Sequence, residues 1–90
     1  MMYDDIQDQL TQVLETHRTG DQDTARLECA ELISAAPDVP DTHYVMGLMI
    51  QDGGDHGRAI QLLGRAIRLD PDRSDFHDSI GVSQVSLGKH

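Results

Sequence analysis

Large aromatic rings are scarce in this chain, which has only Tyr3, Tyr44 and Phe76 and no tryptophan. A core without them must come from Leu, Ile, Val, Met and Ala, which suits thin layers of helix on helix better than a sandwich of sheets. Basic residues are also few, 7 Lys and Arg against 16 Asp and Glu, for a net charge of -9. Such a surface repels phosphate backbones and anionic lipid, so nucleic acid and membrane are excluded as expected partners. The single cysteine, Cys29, cannot form an internal disulfide, so nothing demands an oxidising compartment and a cytoplasmic protein is the simplest expectation. No stretch approaches the roughly 20 apolar residues of a membrane span, and Met1-Met2-Tyr3-Asp4-Asp5 lacks the basic start and apolar run of a signal peptide. A chain of 90 residues buries only about 60% or a little more of its unfolded surface, which leaves little room for an enclosed catalytic centre.

What the chain does have is a period. Gly20, Gly54 and Gly88 stand 34 residues apart (54 - 20 and 88 - 54), and eight further pairs obey the same shift. Asp21 falls on Asp55, Ala25 on Ala59, Ile33 on Ile67, Pro37 on Pro71 and Asp38 on Asp72, while Asp41 falls on Asp75, His43 on His77 and Gly47 on Gly81. Each unit divides into two helices. Gly20 and Gly53-Gly54 break the chain midway, Asp21 and Asp55 are placed to cap the second helix of each unit, and Pro37 and Pro71 end the unit. In the second unit Tyr44, Met46, Leu48, Met49 and Ile50 mark a first helix, and Ala59, Ile60, Leu63, Ala66 and Ile67 follow the spacing of an amphipathic second one. Glycine inside a helix costs about 1 kcal/mol relative to alanine, so Gly47 and Gly81 predict close backbone approach.

Met46-Gly47, Ile50, Gly54-Asp55, Ala59-Ile60, Leu63, Ala66-Ile67 and Leu69-Asp70-Pro71 resemble the tetratricopeptide repeat over its whole length. The chain departs from that pattern where His43 stands at the usual large aromatic and Ile50 and Leu63 stand at usual tyrosine or phenylalanine positions. The resemblance implies an all-α right-handed solenoid of five antiparallel helices, near 3–19, 22–36, 41–51, 57–69 and 75–87. It divides the chain into units at 6–39 and 40–73 and a partial third at 74–90. The first unit has Gln9 and Gln12 where apolar residues are expected, but keeps a stripe of Ile6, Leu10, Val13, Leu14 and His17. The last supplies a first helix through Ile80, Gly81, Val82, Val85 and Leu87, then reaches Gly88-Lys89-His90 where a second helix would begin. In a solenoid each helix leaves an apolar face for the next, so this one is expected to expose Ile80 and Leu87, as the first part of a longer array or as a self-association surface.

In this family the first helices of successive units line a concave groove that binds peptide segments. Carried over, the groove residues are Leu10, Leu14, His17 and Arg18, then Asp41, Tyr44, Val45, Leu48, Gln51 and Asp52, then Asp75, Asp78, Ser79, Val82 and Val85. Members that clamp acidic tails use Lys, Arg and Asn at such places. Here only His17 and Arg18 qualify, so an acidic tail is disfavoured. Asp41, Asp52, Asp75 and Asp78 are instead expected either to select a segment carrying Lys or Arg beside apolar anchors, or simply to cap helices and keep the surface solvated.

Other chemistry finds little support. None of the five histidines forms a pair at the three- or four-residue spacing of helical metal ligands. His43 and His77 read as packing substitutes for the aromatic, His56 and His90 as turn or helix-start residues. Cys29 lies on the inner stripe with Ala25, Leu32 and Ile33 and has no adjacent histidine, so it reads as a small buried residue rather than a nucleophile. Asp52-Gly53-Gly54-Asp55 would set carboxylates where a phosphate must sit, so those glycines are turn chemistry. The expected function is a protein-binding scaffold with no catalytic residue, cofactor or metal. The alternatives are the N-terminal recognition arm of a larger glycosyl-, sulfo- or methyltransferase, or a self-assembling structural module.

Overall fold

The computed structural model describes residues 3–88. They form five helices, α1 (Tyr3–Arg18), α2 (Gln22–Ala35), α3 (Pro40–Asp52), α4 (His56–Leu69) and α5 (Ser74–Ser86), with no strand among the described residues. Lys89 and His90 lie outside the described residues. The helix ends agree with the sequence reading to within one residue. α3 starts at Pro40 rather than Asp41 because a proline ring presets φ for the first helical position, where no backbone N–H is needed.

The turns follow from backbone chemistry. The described residues with positive φ are Gly20, Gly54 and Gly88, at 106°, 90° and 77°, the three glycines that share the 34-residue register. A side chain at any of them would meet the left-handed penalty, so the register of the turns is written in glycine. Asp21 and Asp55 then cap α2 and α4, accepting from the backbone N–H of Thr24 and Arg58 at 3.3 Å in each case.

α3 lies at the centre, packed on all four other helices. The backbones of α1 and α3, and of α3 and α5, come within packing range, whereas those of α2 and α4 do not. The first helices therefore make the closed side of the stack and the second helices its splayed side. The core runs through Ile6, Leu10, Val13, Ala25, Cys29, Leu32, Val45 and Met49 into Ile50, Ala59 and Leu63. A fully buried leucine such as Leu63 contributes about 2 kcal/mol through apolar burial.

Packing is conserved in volume rather than identity. Val13 and Cys29 share one cluster, and 34 residues on (13 + 34 and 29 + 34) their places are taken by Gly47 and Leu63. A Cβ at Gly47 would lie 2.9 Å from Leu63 Cγ, so the glycine makes the hollow that the leucine fills. The same close approach was expected at Gly81 but is absent, because a Cβ there would meet nothing within 4 Å. No described helix lies over Gly81 as α4 lies over Gly47.

Candidate functional site

Because α3 is covered on nearly every side, little of it remains visible. Tyr44, Leu48 and Gln51 are half-buried and Asp52 is exposed. Their spacing of 4, 7 and 8 residues from Tyr44 puts them on one helical stripe. Leu48 belongs to a register that repeats on the neighbouring first helices, at Leu14 in α1 and Val82 in α5, each 34 residues away (48 - 14 and 82 - 48). Leu14 is 40% exposed and Val82 57%. Three apolar side chains thus form a ladder across the closed side of the stack. Val85 continues it on α5, and Asp78 is exposed on the same helix.

Two of the expected groove residues are elsewhere. Leu10 and Val45 are buried in the core with Cys29 and Met49, because the faces of α1 and α3 that carry them press on the helices behind. Asp41 is also buried, with both carboxylate oxygens engaged. Gln7 Nε2 donates to Oδ2, and Arg73 Nη1 donates to Oδ1 at 2.8 Å. Arg73 also grips Asp75 through Nε at 3.1 Å and Nη2 at 2.8 Å. Those hydrogen bonds, with the guanidinium charge, hold the Asp75 carboxyl below the usual aspartate range, and the two aspartates raise Arg73 further. Neither Asp41 nor Asp75 is a helix N-cap; Val39 and Arg73 occupy those positions. The two acids bind the first helices to one another, which corrects their expected role as acids open to a basic partner.

The network extends inward. Arg73 Cζ stands 4.3 Å from the centroid of the Phe76 ring, and Phe76 packs against Tyr44 with centroids 4.7 Å apart at 40°. The Tyr44 hydroxyl makes no hydrogen bond to another described residue and stays available at the edge of the ladder. At the other end of the helices His17 Nε2–H donates to Asp52 Oδ2 at 3.1 Å, linking α1 to α3. Gln51 Nε2 donates to the Ser79 carbonyl at 2.8 Å and to Ser83 Oγ at 2.7 Å, linking α3 to α5. Ser83 Oγ keeps its own hydrogen for His56 Nδ1 at 3.2 Å. Arg18 is held by Glu15 within α1.

Sequence reasoning missed Gln7, Arg73, Phe76 and Ser83. The signal for the first was present, since Gln7, Asp41 and Asp75 share the 34-residue register. His43 and His77 also act alike: each Nε2–H donates to the proline carbonyl six residues earlier, Pro37 at 2.8 Å and Pro71 at 2.9 Å. His56 opens α4, and His90 lies outside the described residues. Ile80 is not open to solvent as expected but packs against the cluster of Ile50, Ala59 and Leu63; Leu87 is exposed. Burial pushes the Cys29 thiol up to about 12. Among the described residues, no group of three His, Cys, Asp or Glu is placed to hold a metal, and no helix is long and apolar enough to cross a membrane. A separate cleft of about 370 Å³ between α1 and α2, lined by Gln9, Gln12, Val13, Glu28, Glu31, Leu32 and Ala35, shares no residue with the ladder.

No protein-family model matches the chain. A TPR repeat-containing protein of Pseudomonas aeruginosa is 35% identical over 71 residues, covering 79% of this chain and 28% of that protein. The structure of a mutant O-GlcNAc transferase from Thermobaculum terrenum superposes with a TM-score of 0.86 at 30% identity, over 99% of this chain and 18% of that one. The chain spans less than a third of the length of either protein.

Proposed function

We propose that this chain, whose helices are tetratricopeptide repeats in sequence and in fold, binds a protein segment along the ladder on its first helices. The observation that carries this reading is the recurrence of Leu14, Leu48 and Val82 at one register with their side chains still open to solvent. Leaving Leu14 and Val82 exposed gains nothing for folding, and contiguous apolar surface of this kind marks interaction sites. The units run 6–39, 40–73 and 74–90, each contributing one rung. Asp52 and Asp78 at the rim favour a segment that carries lysine or arginine beside its apolar anchors. The module acts by mass action, with no chemistry of its own.

The test is a pull-down from cells that express the protein, with Leu14→Asp and Val82→Asp combined. Both positions are exposed, so the helical circular dichroism stays that of the wild type. The reading expects the specifically retained proteins to be lost; unchanged retention would sink it.

A second reading makes the same surface the recognition arm of a longer polypeptide with catalysis elsewhere. It is favoured by the likeness to part of an O-GlcNAc transferase, an enzyme of which this chain matches 18%. An immunoblot of native cells decides it, because the arm requires a band far larger than 10.0 kDa.

A further inference from the structure

We infer that the segment this ladder takes is a polyproline II stretch with an apolar side chain at every third residue and basic residues between. The inference rests on the groove proposed for this chain and adds the conformation and register of the partner. The rungs themselves set a repeat. Leu14, Leu48 and Val82 sit on successive packed helices, and the axes of packed helices lie about 8 to 10 Å apart. A polyproline II chain advances about 3.1 Å per residue with three residues per turn, so side chains three apart share a face at about 9.3 Å. A β-strand repeats its face at about 6.7 Å, which falls out of step by the second rung. An α-helix returns near the same face after seven residues at about 10.5 Å, so the rungs alone admit it.

The flanking chemistry separates the two. Polyproline II has no internal hydrogen bonds, so its carbonyls need donors, whereas a helix has spent its own. The Tyr44 hydroxyl beside Leu48 is a donor without a protein partner, on a ring held in place by Phe76, and proline-rich segments dock against such aromatic walls. Asp52, whose side chain is 73% exposed, and Asp78 complement basic residues between the rungs.

Fluorescence anisotropy with three labelled peptides tests this: a fourfold repeat of Pro-Lys-Ala, a shuffled peptide of the same composition, and a lysine-rich helix with leucine every seventh residue. The period-three peptide is expected to bind at least about tenfold tighter than either, and to lose about tenfold with Leu14→Asp or Val82→Asp. Equal binding of the shuffled peptide overturns the register. Tighter binding of the helix, still lost with those substitutions, overturns the conformation and leaves the groove reading standing. Binding of none of the three, or binding that ignores both substitutions, overturns both.

Discussion

Arg73 reaches across the step from α3 to α5 to place its Nη1 2.8 Å from Asp41 Oδ1, and the remainder of its guanidinium holds Asp75. One residue thereby joins the first turns of two helices and neutralises two acids that would otherwise repel. With Gln7 on the far side of Asp41, the three first helices are tied in a row. The ladder of Leu14, Leu48 and Val82 is as rigid as these ties make it.

Arg73→Met should therefore destabilise the fold by about 2 kcal/mol, the range for a charged hydrogen bond whose partner is left buried. Asp75→Asn, at a half-exposed carboxylate, should cost less than about 1 kcal/mol. Urea denaturation measures both. A stability for Arg73→Met within about 0.5 kcal/mol of wild type, the usual range for surface changes, would make the tie ornamental.

Acid should weaken the same tie in a defined window. The Asp75 carboxyl titrates below the ordinary aspartate value of about 3.9, so its contribution is full above that pH and is lost as pH falls through the depressed folded value. The gap in urea midpoint between wild type and Asp75→Asn should accordingly be constant near neutrality and shrink below about pH 4. A gap that persists unchanged at pH 3 would contradict the assignment.

Two glycines at one repeat register should respond to alanine in opposite directions. At Gly47 the new methyl lands 2.9 Å from Leu63 Cγ, and Leu63 is wholly buried with nowhere to swing. Overpacking of about 2 kcal/mol then outweighs the helix propensity gain of about 1 kcal/mol. At Gly81 the space is open, so Gly81→Ala keeps the gain and raises the melting temperature. Stabilisation by Gly47→Ala would show that the contact yields.

Cys29 should be inert while the protein is folded. Its Sγ is buried, donates to the Thr42 carbonyl at 3.5 Å, and carries a thiol pushed up to about 12. At neutral pH the thiolate is on the order of a thousandfold rarer than in a free cysteine. Labelling by a disulfide reagent should wait on unfolding and accelerate with urea; labelling at the rate of free cysteine would refute the burial.

Much of this architecture was legible from glycine and proline, because Gly20, Gly54 and Gly88 need a backbone conformation that other residues resist and Pro37 and Pro71 cannot extend a helix. The exposed rungs were legible for the same reason of period. Burial of Val45 and Leu10 was not, since a central helix is apolar on several faces and spacing alone does not say which one stays open. Nor were the roles of Asp41 and Asp75, because their partner Arg73 lies at 73, where the preceding unit has Val39 and no repeat pattern marks it. Gly81 shows the limit in the other direction: the register carried the residue but not the contact.

The central claim, that the ladder is the surface that meets a partner, is tested most directly by site-specific photo-crosslinking in the expressing cells. A benzoyl-phenylalanine is placed at Leu14, Leu48 or Val82 on the first helices, and at Leu27 or Arg65 on α2 and α4. Leu27 is more exposed than either Leu14 or Val82, so accessibility alone favours the control. The account predicts discrete crosslinked adducts from positions 14, 48 and 82 and none above background from 27 and 65. Adducts from 27 or 65 with silence along the ladder would contradict it.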